Sequence, residues 1–225
     1  MDVKTTYKDS VFSFLFSDPA LLRELYCAIE GTDLPPDVPV SINTLRNVLF
    51  LGPVNDISFE IGDKLVVLIE HQSTINPNMA IRLLLYIAKI YEKMLKDRNL
   101  YGSRPVKLPR PEFWVLYNGI APCPEKQTLR LSDAFETVKP LGIPEKTALE
   151  LEVRVLNINE GRNGDIVRRS KTLAQYSAFV DKVRNFTKEQ GDREEAMKTA
   201  IRYCRDHDIL KEFLENHAPE VLNML

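Results

Sequence analysis

The sequence of 225 residues predicts an α/β fold, in which helices flank a mixed central sheet and a helical segment follows. Two apolar, β-branched runs that meet near Gly62 predict a β-hairpin. A long amphipathic pattern after Pro77 leads to another apolar run, which is typical of a strand–helix–strand unit. From Asn163 onward the periodicity is helical. We therefore expect an α/β core over residues 1–160 and a helical extension over residues 161–225, packed on that core.

Two helices are predicted near the N-terminus. The first is short and covers residues 8–16. For the second, the segment Ser17-Asp18-Pro19 supplies a cap and a first-turn proline, and Gly31 ends the helix. The apolar face of this second helix consists of Leu21, Leu22, Leu25 and Ile29.

The helix that begins after Pro77 has two stripes at helical spacing. The apolar stripe, which we expect to face the core, consists of Ile81, Leu84, Leu85, Ala88 and Leu95. The basic and aromatic stripe consists of Arg82, Tyr86, Lys89 and Lys93. Because the second stripe follows Gln72 closely, it is a candidate phosphate-binding surface; the alternative is an ordinary solvated helix face.

Two more strands are expected after this helix. The first covers residues 112–118 and turns at Gly119, and the second covers residues 149–158 and is expected at an edge of the sheet. The C-terminal helices then repeat apolar positions that can cover the sheet. These positions are Ile166, Leu173, Tyr176, Phe179, Val180, Val183, Met197, Ile201, Cys204, Leu210, Phe213 and Leu214.

Polar side chains occur in the hairpin where both strands should be apolar. Side chains alternate along a strand, so Glu70 and Gln72 share one face and His71 lies on the other. A two-residue loop would set Asp56 opposite Ile69. A three-residue loop, Gly62 to Lys64, sets Asp56 opposite Glu70 and also matches apolar residues along the hairpin, so we predict this register, with the two Cβ atoms roughly 5 Å apart.

Two carboxylates at that separation repel each other unless a cation lies between them. Glu70 also ends the apolar run of residues 65–69, where burial of a carboxylate requires pairing or coordination. Oxygen ligands without paired thiols favour Mg²⁺ or Mn²⁺ over zinc, and such a site suits phosphodiester chemistry. The alternative is that Glu70 pairs with an arginine and Asp56 is a turn or strand-edge acid.

The overall composition excludes several classes of protein. No apolar run approaches the roughly 20 residues of a membrane helix, and the N-terminus lacks the pattern of a signal peptide. Cys27, Cys123 and Cys204 are odd in number and widely separated, so neither a disulfide framework nor a zinc site is predicted. No phosphate-binding Gly-x-x-x-x-Gly-Lys loop is present. We expect a cytoplasmic protein that does not interact with membranes.

The net charge of −2 does not by itself favour nucleic-acid binding, but local basic patches can supply phosphate contacts. Two further clusters are candidate DNA contacts, with simple solvation of the surface as the alternative. They are Arg98, Arg104, Lys107 and Arg110, and Arg162, Arg168, Arg169 and Lys171.

Asp56 followed by Glu70-x-Gln72 resembles the acid and acid-x-Lys motif of the PD-(D/E)XK nuclease superfamily. Further segments, spread over nearly the whole chain, resemble the Rpn branch of that superfamily, which comprises recombination-promoting nucleases and proteins described as transposases. These segments are Lys8-Asp9-Ser10-Val11-Phe12 with Leu15-Phe16, Leu68-Ile69-Glu70-His71-Gln72-Ser73, Arg82 with Tyr86, Val115-Leu116-Tyr117-Asn118-Gly119 and Leu156-Asn157-Ile158-Asn159.

The resemblance implies a restriction-endonuclease-like core and a metal-dependent DNA endonuclease, with a role in recombination, transposition or phage defence. Asp56 and Glu70 would hold Mg²⁺ or Mn²⁺, Gln72 would position the attacking water, and Arg82 with Tyr86 would address the scissile phosphate. The expected DNA-binding stripe consists of Arg82, Tyr86, Lys89 and Lys93.

Gln72 departs from the superfamily lysine, although glutamine here is similar to what the Rpn branch shows. An amide carries no charge, so the metal would supply most of the water activation. Asp9 and Glu24 are secondary candidates for the metal, since an acid of the first helical region sometimes contributes in the superfamily; capping or surface roles are the alternative for both.

Other functions stay open beside the endonuclease. A catalytically silent module would keep the fold and bind DNA or a protein partner, and a transposase or recombinase would transfer strands to a second duplex. The apolar C-terminus, with Val221, Leu222 and Leu225, could pack on a second copy in a homodimer or dock on its own core.

Overall fold

A computed structural model describes residues 6–43, 56–62 and 65–223, and for residues 6–10, Asn43 and Asp56 it describes the backbone alone. The strands in these ranges are β1 Val40–Asn43, β2 Asp56–Ile61, β3 Leu65–Gln72, β4 Arg110–Tyr117, β5 Lys126–Arg130 and β6 Glu152–Asn157. The helices are α1 Thr6–Leu15, α2 Pro19–Glu30, α3 Met79–Leu95, α4 Gly164–Arg169, α5 Lys171–Gln190, α6 Arg193–Asp206 and α7 Lys211–Asn223. The fold class is α/β, as predicted.

The strands form one mixed sheet in the order β1-β2-β3-β4-β6-β5. The pairs β1–β2, β2–β3 and β5–β6 are antiparallel, whereas β3–β4 and β4–β6 are parallel. The parallel connection from β3 to β4 runs through α3, as the strand–helix–strand pattern predicted. This mixed sheet with helices on both faces is consistent with a PD-(D/E)XK-like core.

The placement of β6 corrects one expectation. The segment near residues 149–158 does form a strand, but it lies inside the sheet between β4 and β5. The edge strand on this side of the sheet is β5, Lys126–Arg130, in which exposed and half-buried residues alternate. A short strand of that kind has no apolar run, so its sequence contains little strand signal.

One face of the sheet is covered by α1, α2 and the C-terminal helices. A single hydrophobic cluster contains Phe12 of α1, Leu25 of α2, Ile69 of β3, Tyr176 of α5 and Val221 of α7, each at most 4% exposed. The apolar positions predicted for the C-terminal helices lie in or against this cluster. Val221, for which packing on a second copy was one option, is buried in the core of its own chain.

The opposite face of the sheet is covered by α3. Leu68, Val115 and Val153 of the sheet pack there with Leu83 and other side chains of the helix. The predicted apolar stripe of this helix was wrong, because Ile81, Leu85 and Ala88 are exposed. The buried positions are Met79, Ala80, Leu83, Ile87 and Ile90. The helix is apolar on so many sides that its periodicity did not identify the packed face.

The turns at the ends of α2 agree with the sequence. The carboxylate of Asp18 accepts a hydrogen bond from the backbone N of Ala20 at 2.7 Å, and Pro19 occupies the first turn. Gly31 ends the helix in the left-handed region, at φ 73°, where a residue without Cβ is favoured.

Among the described helices, none is long and apolar enough to cross a membrane.

Candidate active site

The hairpin of β2 and β3 brings two acidic positions side by side. In the antiparallel pairing Asp56 lies opposite Glu70, Phe59 opposite Val67 and Ile61 opposite Leu65. This is the register predicted from the apolar pattern and a three-residue loop, and it is confirmed. Directly opposed residues of an antiparallel pair have Cβ atoms about 4.5–5.5 Å apart, so the backbone places both acids at one site.

Glu70 is buried, with 4% of its surface exposed, and it has close polar partners. The amide Nε2 of Gln72 donates a hydrogen bond to Glu70 Oε1 at 2.7 Å, and Arg82 Nη1 lies 2.9 Å from the same oxygen. A buried carboxylate is tolerated when such charge-assisted contacts replace its hydration. The described contacts therefore show the arginine pairing that the sequence left open, and Glu70 and Gln72 share a face as predicted.

The helix α3 delivers Arg82 to this carboxylate from its first turns. The Arg82 side chain is 35% exposed, and its Nη2 donates to the Tyr86 hydroxyl at 3.0 Å. The guanidinium carbon also lies 5.7 Å from the centre of the Tyr86 ring. The spacing of four residues places both side chains on one side of the helix, so Tyr86 orients Arg82. Lys89, half-buried, and Lys93, exposed, continue the same stripe away from Glu70.

The candidate donors are oxygen atoms, the ligand type that a hard divalent cation takes. Among residues with described side chains, no group of three His, Cys, Asp or Glu residues could hold a metal ion. Mg²⁺, however, is usually bound by one or two carboxylates and keeps its other positions for water and substrate phosphate. Glu70 and Asp56, at the strand position opposite it, are the candidates for such a pair, and the Gln72 amide next to Glu70 adds a neutral polar group.

The secondary candidates are placed differently. Glu24 contacts the start of α5: its Oε1 accepts hydrogen bonds from Ser170 Oγ at 2.7 Å and from Thr172 N at 3.1 Å. These contacts favour the capping alternative for Glu24, and its part in metal binding stays a prediction. Asp9 belongs to α1, but its side chain lies outside the described part of the chain.

His71 lies on the opposite face of β3, as the alternation of side chains predicted. Its ring stacks on Phe12 with a centroid distance of 4.7 Å, and its Nε2 lies 3.1 Å from the Tyr176 hydroxyl. Both partners belong to the buried cluster under α1 and α5. The histidine therefore anchors β3 to the helical layer and does not enter the acidic site.

A polar network at the ends of β4 and β6 was not predicted from side-chain chemistry. Arg184 of α5 donates from Nη1 to Asn159 Oδ1 at 2.7 Å and from Nη2 to Asn118 Oδ1 at 2.6 Å. The backbone N of Asn118 donates to the carbonyl of Gln72 at 2.8 Å, so this network fixes the end of β3. Asn118 and Asn159 belong to segments that carried the resemblance, whereas nothing local in the sequence pointed to Arg184.

Gly119 makes the close approach of these strand ends feasible. A Cβ at this position would lie 2.3 Å from the carbonyl oxygen of Ser73 and 2.3 Å from the Tyr117 hydroxyl. Both distances are far below van der Waals contact, so only glycine fits without a shift of the backbone. In α/β sheets the carboxyl ends of parallel strands commonly carry the functional site, and here they adjoin Gln72.

A family model described as "Putative transposase, YhgA-like" matches residues 57–185, more than half of the chain. The matched range contains Glu70, Gln72, Arg82 and Arg184. No curated protein and no solved structure matches the chain.

Proposed function

Because the chain belongs to the YhgA-like transposase family, which is part of the Rpn and PD-(D/E)XK nuclease-like group, we propose that it is a Mg²⁺-dependent DNA endonuclease. The family indicates a nuclease or transposition role. The finer proposal depends chiefly on one observation: β2 and β3 pair so that Asp56 is opposite Glu70, with Gln72 and Arg82 in contact with the Glu70 carboxylate.

Asp56 and Glu70 would hold the cation. Mg²⁺ or Mn²⁺ at this position supplies Lewis-acid stabilisation of the charge on the scissile phosphate and favours ionisation of the attacking water. The carboxylates would contribute negative charge, and both residues belong to directly opposed strand positions of one hairpin rather than to loops.

Gln72 would position the attacking water, and its amide side chain does not take up a proton. Its Nε2 donates to Glu70 and lies 2.7 Å from Met79 Sδ, so the amide plane is fixed by two contacts. An amide presents a carbonyl oxygen as an acceptor as well as its N–H donors. A water held by that oxygen would be oriented toward the phosphate without a proton being taken up by the side chain.

Arg82 and Tyr86 would bind the scissile phosphate. The guanidinium has five N–H donors in a fixed fork, so it can bind a phosphate oxygen beside Glu70. Its partial exposure leaves it accessible from the same side as Tyr86.

In the hydrolysis, the water oxygen bonds to phosphorus while the bond from phosphorus to the 3′ oxygen breaks. One proton of the water ends on that oxygen, which leaves a 3′-hydroxyl and a 5′-phosphate.

The experiment is cleavage of supercoiled plasmid in EDTA, Mg²⁺ or Mn²⁺, with wild type beside Asp56→Ala and Glu70→Gln. We expect cleavage in either metal, none in EDTA, and background levels for both variants. Glu136→Gln, in an exposed loop, is the matched control and should cleave normally. Circular dichroism establishes that each variant is folded. Cleavage by folded Glu70→Gln at the wild-type rate would remove Glu70 from the mechanism.

A second candidate is a silent module that binds DNA or a protein partner. It is favoured by the ion pair between Arg82 and Glu70 and by the uncharged Gln72, since a carboxylate already neutralised by arginine needs no metal. Calorimetry separates the two functions, because the silent module would bind its partner equally well in EDTA and in Mg²⁺.

A further inference from the structure

The segment that connects α3 to β4 carries an unusual concentration of positive charge. We call residues 96–109 the basic loop; Lys93 in the last turn of α3 adjoins it. Together they contain five basic residues and one acid, Asp97, in a chain of net charge −2. The basic residues, all exposed, are Lys93, Lys96, Arg98, Arg104 and Lys107.

These five basic residues have no acidic partner among the described side chains. Other basic residues of the two candidate DNA-contact clusters do have one. Arg110 lies 2.7 Å from Glu112, Arg162 lies 3.9 Å from Glu125, and Arg169 lies 3.6 Å from Asp33. The charge of the basic loop is therefore not compensated by the protein, and it is complementary to a polyanion.

An aromatic ring stands fully in solvent among these cations. Tyr101 has a relative exposure of 101%, and its neighbour Leu100 is 58% exposed. The other tyrosines with described side chains are buried or half-buried. The Asn99 carbonyl oxygen Oδ1 accepts a hydrogen bond from Tyr101 N at 3.0 Å, which stabilises the turn that presents the ring.

This combination favours nucleic acid over a protein partner. The cores of protein interfaces are depleted of charged residues, whereas sites for single-stranded nucleic acid combine cations that follow the backbone with exposed aromatic rings on which bases stack. In an intact duplex the base faces are already stacked on each other. Tyr101 can therefore stack on an unpaired base but not on a base in the interior of a duplex.

The basic loop is also connected to the candidate active site. Arg82 and Lys93 are eleven residues apart on α3, which is about 17 Å along the helix axis, or roughly five nucleotides at the rise of a B-form strand. Lys89 lies between them on the same stripe. A strand that contacts Arg82 at the acidic site can follow α3 to the basic loop.

We propose that the basic loop binds an unpaired segment of the DNA substrate, with a base stacked on Tyr101 and phosphates on the surrounding cations. The substrate class of the site is then DNA that carries a single-stranded segment beside a duplex, such as a fork, a flap or a gap. This inference rests on the proposed nuclease function.

The first test measures binding without catalysis. Wild type, Tyr101→Ala and Tyr101→Phe are titrated in EDTA against a fluorescent oligonucleotide and against its blunt duplex, with anisotropy as the signal. Loss of one stacked base predicts that Tyr101→Ala weakens oligonucleotide binding roughly 5- to 150-fold and leaves duplex binding unchanged. Tyr101→Phe keeps the ring and should bind as wild type. Leu141→Ala, at another exposed apolar side chain, is the matched control.

The second test measures charge. Replacing Arg98 and Arg104 together by Ala should reduce the slope of log K against log salt for the oligonucleotide by about 1.4, because each single-strand phosphate contact contributes about 0.7. An unchanged slope, or equal losses on oligonucleotide and duplex for Tyr101→Ala, would overturn the inference.

Cleavage then links the loop to the site. Wild type should cut a forked duplex faster than a blunt one, and Tyr101→Ala should lose that preference while its cleavage still requires metal and Glu70. If Tyr101→Ala behaves as wild type in both assays while Glu70→Gln is inactive, the substrate inference is overturned and the nuclease stands. A different result would be that oligonucleotide binding depends on Tyr101 but Glu70→Gln does not lower cleavage. The proposed nuclease function would then be overturned, and so would the assignment of the basic loop to a nuclease substrate.

Discussion

Arg82 Nη1 on α3 lies 2.9 Å from Glu70 Oε1 on β3, and this contact joins the stripe of the helix to the acidic end of the hairpin. The same arginine contacts Tyr86, so one guanidinium connects the buried carboxylate with the exposed face of α3. In the proposed enzyme this places a phosphate-binding cation beside a metal ligand, and in a silent module it would simply neutralise Glu70.

Arg82→Ala should lower both stability and cleavage. Removing the guanidinium takes away the arginine partner of a buried carboxylate, which costs about 1–3 kcal/mol in the free energy of unfolding. The variant Glu70→Gln with Arg82→Ala should recover part of that loss, since a neutral amide does not need the arginine. Urea denaturation of the double-mutant cycle measures the coupling, and strictly additive effects would show that the pair contributes nothing.

Gln72→Lys should preserve or raise cleavage if Gln72 occupies the position of the superfamily lysine. An ammonium group can replace the donation of Nε2 to Glu70 and adds charge near the phosphate. Plasmid cleavage rates for Gln72→Lys and Gln72→Met test this, with the methionine variant expected to be slower than wild type. A Gln72→Lys protein that does not fold would show that the buried site is too tightly packed for a second cation beside Arg82.

Tyr176→Phe should destabilise the fold without affecting cleavage. The substitution removes the hydroxyl 3.1 Å from His71 Nε2, at a cost of about 1 kcal/mol for a buried hydrogen bond. Because His71 faces α1 and α5, the substitution should not affect the proposed metal site on the other face of β3. Denaturation and cleavage rates measured on the same preparation test this separation, and a large loss of cleavage would contradict the assignment of faces.

Glu30 should make stability fall as the pH rises. Burial first, and then the carboxylate of Glu112, raise the pKa of Glu30 above its ordinary value, against the opposing effect of Arg154. Arg110 and Tyr26 also contact Glu112. The folded state thus holds the proton of Glu30 more tightly than the unfolded chain does. Its contribution to stability is fully present below the ordinary glutamate pKa of about 4.3 and is lost as the pH rises through the higher folded pKa.

The check is urea denaturation of wild type and Glu30→Gln across that pH range. The variant should show a smaller decline of the unfolding free energy toward neutral pH, because glutamine does not titrate. Glu220→Gln, exposed on α7, should keep the decline of the wild type. Identical pH dependence for wild type and Glu30→Gln would contradict this account of Glu30.

The accuracy of the structural predictions made from the sequence differed from one element to the next. The hairpin register followed from matching Phe59 to Val67 and Ile61 to Leu65, since a shift by one residue would have exposed every apolar side chain. The packed face of α3 could not be predicted, because Ile81 and Leu85 are apolar although they lie in solvent.

The contacts around the site could not be predicted from the local sequence either, because they depend on tertiary structure. The partners of Arg184 are 66 and 25 residues away along the chain, at Asn118 and Asn159, so no local pattern connects them. The ion pair of Glu70 with Arg82 was an open alternative in the sequence, because its formation depends on how α3 docks on β3.

The central claim is that Asp56 and Glu70 together hold a divalent cation. The most direct test is binding of Mn²⁺, followed by electron paramagnetic resonance, to wild type, Asp56→Asn, Glu70→Gln and the control Glu136→Gln. The account predicts a bound ion in wild type and Glu136→Gln, and its loss in both Asp56→Asn and Glu70→Gln while these variants remain folded. Equal Mn²⁺ binding by all four proteins, or by none, would contradict it.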